Sequence, residues 1–336
     1  MNLLVIKDDK PGHYNQTEGL ILQLREIYSE INVEYIDIKI KSKISRKILR
    51  FVLNNFDSFF QKKENLKYLS FFYKNFSIPS NIPDLILSTG GNTSNLNAWF
   101  AKVYSCKNIL NGALRGLKEE LFTYITTVID LGYKNQVILD VAPSLITQEK
   151  IKESSKKFIQ EKKLDANNTY YSLLIGGNGS GYIYNDEFYD SLITFVKVIS
   201  NKKDIKWLIT TSRRTPSEIE NKLENELKDF SSYFVSYNQK EEKILTSYLG
   251  LSEKVFVTED SASMISESIS SYKPVYTLGL NKFNKDGNYQ QILEKFETNK
   301  FLIRIKNFDE NFQDFQPNFK LNTNLNIVLK EVCNEL

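Results

Sequence analysis

Short apolar runs, each ending in Gly, Ser, Thr or Asp and leading into a helical pattern, recur along this chain and restrict its fold more than any other feature. In the first half they are Leu3–Ile6, Val33–Ile38, Asp84–Ser88 and Val128–Ile129. In the second they are Tyr171–Ile175, Trp207–Thr211, Ser232–Val235, Val255–Thr258 and Val275–Leu278. They are continuous, β-branched and aromatic, without strict alternation, as strands buried on both faces read. Strands that alternate with helices imply parallel sheets. A lysine-rich helix expected over Gln148–Lys163 and the polar stretch LDANNT separate the two sets. Two α/β domains are therefore expected, 1–165 and 166–320, with a closing helix over 321–336. A chain of 336 residues is long enough for two cores.

Composition removes several function classes. A net charge of +3 is too small for the whole chain to be a nucleic-acid binder. Cys106 and Cys333 lie far apart and His13 is the one histidine, which excludes a His/Cys zinc site and a CxxC redox pair. No metal or cofactor is expected. The opening MNLLVIKDDK lacks a signal peptide's basic start, and no apolar run reaches the roughly 20 residues that cross a bilayer. The expected location is cytoplasmic, or peripheral on the inner face of a membrane.

Open parallel sheets bind ligands beyond the carboxyl ends of their strands, so the loops there hold the candidates. The first loop, Asp8–Gln16, precedes a helix expected near Thr17 and carries Lys10, His13, Asn15 and Gln16. An imidazole suits proton transfer from an acceptor hydroxyl at neutral pH; a capping or surface histidine is the plainer alternative. The second loop carries Gly90, Gly91 and Asn92, where paired glycines admit either a ligand or a tight turn. The third, Gly176-Gly177-Asn178-Gly179-Ser180-Gly181, could present backbone N–H groups to an anion, but it lacks the Lys-Ser/Thr of a P-loop. Arg213 and Arg214 follow the next strand, and their guanidinium forks suit phosphate. The fifth loop is the most informative. Ser261, Ala262, Ser263 and Met264 open a helix whose free N–H groups and positive end would seat a diphosphate. Glu267 is then placed to accept from ribose hydroxyls.

A different signal lies in Lys39–Phe76, with ten Lys or Arg against Asp57 and Glu64, and nine Phe or Tyr interleaved. Helical spacing puts Ile44, Ile48, Phe51, Val52, Phe59 and Phe60 on one face and Lys43, Arg46, Lys47 and Arg50 on the opposite one. Such a helix either lies in an anionic membrane interface or packs its apolar face on the first domain.

Taken in order, the stretches DDKPGHYNQTEGL (8–20), PDLILSTGGNTS (83–94), LLIGGNGSGY (173–182), TTSRRTP (210–216) and VTEDSASMISESISSYKPVY (257–276) resemble the mitochondrial-fission "elongated mitochondria" family. It comprises a plant outer-membrane fission factor and many bacterial relatives regarded as glycosyltransferases. GGNTS stands where relatives commonly show a Gly-Arg pair. The last motif is also similar to the wider GT-B group, which includes the peptidoglycan-precursor N-acetylglucosaminyltransferase.

The resemblance implies an α/β fold of GT-B type, two Rossmann-like domains with parallel sheets facing an interdomain cleft. It implies a nucleotide-sugar donor on the C-terminal domain, with Ser261, Ser263 and Glu267 on pyrophosphate and ribose. It also implies a glycan or lipid-linked acceptor facing His13, and inverting transfer without a metal. Two rivals share the fold: a nucleotide-sugar epimerase, and a non-enzymatic membrane-recruited adaptor.

Overall fold

The apolar runs form two parallel sheets of six strands each. The computed structural model describes residues 1–28, 30–279, 287–318, 326 and 329–332. The chain divides at Leu145/Ile146 into two units.

The first unit runs β1 (Asn2–Lys7), α1 (Pro11–Ile27), β2 (Asn32–Asp37), then a small antiparallel pair, β3 (Lys39–Ile40) and β4 (Tyr73–Asn75). Between β3 and β4 lie α2 (Lys43–Asn55) and two single turns, α3 (Asp57–Phe60) and α4 (Leu69–Phe72). Next come β5 (Leu85–Thr89), α5 (Ser94–Tyr104), β6 (Lys107–Asn111), β7 (Tyr124–Thr127) and β8 (Gln136–Ile138). The sheet order is β2-β1-β5-β6-β7-β8, with Leu3 opposite Leu85 and Ile6 opposite Ser88. Successive side chains point to opposite faces of a strand. Leu4, Ile6, Ile86 and Leu110 accordingly meet Leu49, Leu53 and Trp99 of α2 and α5. Leu3, Val5, Leu85 and Ile109 meet Leu20, Ile21 and Leu24 of α1. Both faces are covered, so these strands need apolar residues at every position.

The second unit runs α6 (Gln148–Lys162), β9 (Tyr170–Leu174), α7 (Asp186–Lys202), β10 (Lys206–Thr210), α8 (Ser217–Leu227), β11 (Ser231–Val235) and α9 (Leu245–Leu251). It continues with β12 (Ser252–Thr258), α10 (Ala262–Ser270), β13 (Val275–Gly279), α11 (Gly287–Thr298) and β14 (Ile303–Lys306). Its order is β11-β10-β9-β12-β13-β14. In each unit the chain starts mid-sheet, builds toward one edge, then crosses back to build the other. The reversal falls between β1 and β5 in the first unit and between β9 and β12 in the second, where such sheets open a ligand crevice.

Several expectations need correction. The domain division precedes residue 165, because α6 packs on α9: Gly250 leaves room for the Ile151 carbonyl, and Ser154 bonds Ser247. The strand expected at Val128–Ile129 is Tyr124–Thr127. Thr127 and Gln136 side chains both donate to the Ile129 carbonyl and turn the chain there. The helix expected near Thr17 begins at Pro11, since proline at the first helical position has no N–H to lose. Of the helix expected over 321–336, residues 326 and 329–332 are helical, and Leu329 and Val332 are buried in the first unit's core. The rest of that segment, Cys333 included, lies outside the described residues. Among the described residues no helix is long and apolar enough to cross a membrane.

Candidate functional site

At the reversal in the first unit, β1 ends at Lys7, Asp8 to Lys10 make a short turn and α1 begins at Pro11, so His13 projects from the first turn of a helix and not from a loop. Its Nδ1 lies 3.0 and 3.1 Å from the two Asp8 oxygens. The Asp8 side chain is 2% exposed. Burial opposes its charge, but the bonds from His13, the Lys10 backbone N–H and the Asn92 amide together hold its pKa below the ordinary carboxylate value. An ionised carboxylate accepts only. Nδ1 therefore carries a proton, and when the ring is neutral Nε2 holds the lone pair. His13 lines a cavity of about 540 Å³ over the carboxyl ends of β5 and β6.

The floor of that cavity is a hydrogen-bonded layer. Asn111 donates to Gln16 (2.8 Å) and Thr89 (3.3 Å) and accepts from Thr126 (2.9 Å), while Thr17 and Thr89 share a bond of 2.7 Å. Lys10, Gln16, Gly90, Gly91 and Asn92 line the cavity as well; Asn15, half-buried on α1, lies outside that lining. Asn92 links Asp8 to Arg46, whose Nη1 donates to its side-chain oxygen at 2.9 Å.

The remaining lining was not foreseen: Thr89, Asn111, Gly112, Ala113, and the guanidinium groups of Arg46, Arg50 and Arg115. The role of Asp8 was also missed, although an acid five residues before a histidine across a strand-to-helix turn is a readable signal. The helix expected either to lie in a membrane interface or to pack on the first domain has its basic face divided. Arg46 and Arg50 turn into the cavity, while Lys43 and Lys47 stay exposed. The apolar face divides too: Phe60 is buried and Val52 and Phe59 pack on the core, while Ile44, Ile48 and Phe51 are exposed.

Glycine shapes this site. Gly90 has φ +86°, and a Cβ there would lie 2.2 Å from the His13 ring. Gly90→Ala is expected to cost about 1–3 kcal/mol of stability through left-handed strain. It should also displace the imidazole. Urea unfolding measures the first effect, and the position of the His13 ring resonances the second. A ring signal that stays in place would show that Gly90 does not seat His13.

At the reversal in the second unit the glycine-rich loop behaves differently from expectation. The N–H of Gly176 donates to Thr258 Oγ1 (2.7 Å) and that of Gly177 to Asp260 Oδ2 (3.1 Å), so neither is presented to an anion. These glycines instead admit protein: a Cβ on Gly176 would overlap the Asp260 carboxylate, and one on Gly177 the Arg214 carbonyl. Ser180 (φ 48°) and Gly181 (φ 86°) are the two central residues of a tight turn closed by paired Gly179 and Tyr182 backbone bonds. Arg214 forms an ion pair with the fully buried Asp260, and Arg213 is exposed. Burial raises the Asp260 pKa above its ordinary value against the pull of Arg214.

Helix α10 starts as expected. Ser261 is its N-cap and makes no side-chain capping bond, so Ala262, Ser263 and Met264 form an amino end that Ser261 does not close. Glu267 is half-buried one turn further on. The start of α10 is braced from below. Glu259, 2% exposed at its side chain, takes Arg304 Nε at 2.7 Å and Nη2 at 2.9 Å, accepts from Thr277 (2.8 Å) and is bonded by Tyr182. Burial acts against the Arg304 charge, but Glu259 holds its pKa above the ordinary value. Among the described residues no three His, Cys, Asp or Glu side chains gather as a metal site would need.

The same two-unit architecture occurs in solved structures. The UDP-GlcNAc 2-epimerase from Neisseria meningitidis bound to UDP-GlcNAc is similar with a TM-score of 0.54 at 10% identity, over 99% of this chain and 92% of that one. The Methanocaldococcus jannaschii UDP-GlcNAc 2-epimerase, in complex with UDP-GlcNAc and UDP, has a TM-score of 0.50 at 12% identity over all of both chains. At such identities the likeness establishes the fold, which is of GT-B type. In sequence, the chain is 25% identical over 314 residues to a Rickettsia prowazekii (strain Madrid E) protein described as uncharacterized, RP120, covering 84% of this chain and 85% of that one. The family model described as mitochondrial fission ELM1 matches residues 11–326. That span takes in the helix of His13, the second unit's sheet reversal and the start of α10, and the chain belongs to the mitochondrial fission ELM1 family.

Proposed function

We propose that this chain is an inverting glycosyltransferase that moves a sugar from a nucleotide-sugar donor to a cell-envelope glycan or lipid-linked acceptor. The observation that carries the reading is the His13–Asp8 pair at the edge of a polar cavity. Nε2 of His13 takes the proton of the acceptor hydroxyl as its oxygen bonds the anomeric carbon. The bond from that carbon to the diphosphate breaks, and its electron pair leaves with the diphosphate. Asp8 stabilises the imidazolium that forms.

The donor is assigned to the second unit. Its diphosphate rests on the amino end of α10 at Ser261–Met264, its ribose meets Glu267, and Arg213 supplies a mobile positive charge. Arg214, already paired with Asp260, shapes the loop more than it neutralises phosphate, and Gly176, Gly177 and Ser180 bring that loop to the site. Exposed Ile44, Ile48 and Phe51 beside Lys43 and Lys47 suit an acceptor held at an anionic membrane surface.

Thermal unfolding of the full chain with UDP, GDP, CMP or dTDP tests the donor assignment. One nucleotide at 100 times its dissociation constant is expected to add about 2.7 kcal/mol of stability. Stabilisation by none of the nucleotides would favour an adaptor. Turnover of the matching donor to an epimer without acceptor would make the chain an epimerase.

A further inference from the structure

The first unit's cavity carries more positive charge than proton transfer needs. Lys10, Arg46, Arg50 and Arg115 line it, and no carboxylate does. The nearest acid, Asp8, already serves His13 and Asn92. Among the described residues no carboxylate pairs with any of the three guanidinium groups, and the buried Nε of Arg50 meets no acceptor. Burial, and then the charges of Arg46 and Arg115, push the Arg50 pKa below its ordinary value. Like charges held together without an acid are costly to the folded chain.

They are nonetheless held in place. Arg46 is fixed by Asn92. Arg50 lies against Gly116 (φ +93°), where a Cβ would come within 3.1 Å of its Nη1. Arg115 sits over Gly91, where a Cβ would come within 2.8 Å of its Cδ, and its own backbone is left-handed at φ 50°.

We infer that this cavity grips a phosphate-type dianion carried by the acceptor, with Arg46, Arg50 and Arg115 as its ligands. The inference rests on the transferase reading, because it takes whatever binds beside His13 to be the acceptor. Three guanidinium forks match the several oxygens and double charge of a phosphate monoester better than the single charge of a carboxylate. A neutral sugar would leave the three charges unanswered.

His13 is the one histidine in the chain, so its ring resonances report on this cavity without interference. The full chain at fixed pH is titrated with inorganic phosphate, with dihexanoyl phosphatidic acid below its aggregation threshold, and with dihexanoyl phosphatidylcholine as the zwitterionic comparison. A saturable shift with the first two is expected, weakened about tenfold in Arg50→Gln and in Arg115→Gln, as loss of one charge-assisted bond implies. Tighter binding of phosphatidic acid assigns the phosphate to a lipid, and equal binding to a soluble acceptor. Absence of a saturable shift with either phosphate, or a shift unchanged in both variants, overturns the inference. Nucleotide stabilisation in the thermal screen would stand or fall separately, since it reads the donor alone.

Discussion

Replacing His13 with alanine is expected to slow sugar transfer by about 10²–10⁴-fold, the usual contribution of a positioned general base. The rate is measured as release of the free nucleotide from the donor that the thermal screen selects. Folding should survive. The ring is one-quarter exposed (26%), and Asp8 keeps its bonds from Asn92 and the Lys10 backbone. Loss of the third bond is expected to cost about 1–3 kcal/mol. Added imidazole should recover part of the rate in the variant, because the cavity admits a free base where the side chain stood. A merely structural histidine would show no such recovery. Transfer by His13→Ala within a few-fold of wild type would end the proton-acceptor reading.

The largest stability effect is expected at Glu259. Glu259→Gln removes the charge that answers Arg304, whose side chain is 12% exposed. A buried charge left without its partner typically costs about 3–5 kcal/mol, a large share of the 5–15 kcal/mol that separates most folded domains from unfolding. The two tryptophans make the loss assignable: Trp99 is fully buried in the first unit and Trp207 in the second. Urea unfolding followed in Trp99→Phe reads the second unit, and in Trp207→Phe the first. The second unit's transition should move to lower urea while the first unit's stays. Adding Arg304→Met to Glu259→Gln should return most of the loss, because the cost lies in the unanswered charge. A shift of under about 1 kcal/mol in the single variant would refute the bracing role.

Periodicity and turn chemistry carried much of the fold. The runs at Leu3–Ile6 and Tyr171–Ile175 are strands because both of their faces are covered, and α10 starts after Ser261, which stays extended and makes no side-chain capping bond. The strands that escaped notice are of two kinds. β6 (KNILN) is masked by the polar residues that link it to its neighbours, Asn108 and Asn111. β3, β4, β8 and β14 are edge strands, which need less apolar length.

The candidate site was legible where its residues are local. His13 and the start of α10 each stand out within a few residues of a strand end. The cationic lining was not, since Arg46, Arg50 and Arg115 reach one cavity from separate stretches. The 3.6-residue period of α2 placed Arg46 and Arg50 together but was silent on what faces them. The glycine pairs suited either a ligand or a tight turn, and in both units they admit other parts of the protein itself.

That use of glycine gives a rule for sorting related chains. The imidazole and two of the guanidinium groups rest on bare α-carbons at positions 90, 116 and 91. A relative with any larger residue at one of these positions has to give up or move the matching cation. Chains that keep all three pairings are expected to keep the imidazole and the cationic lining in place. Those that lose the pairings together, while keeping the strands beneath, are expected to bind no phosphate at this cavity and to lack the proposed transfer.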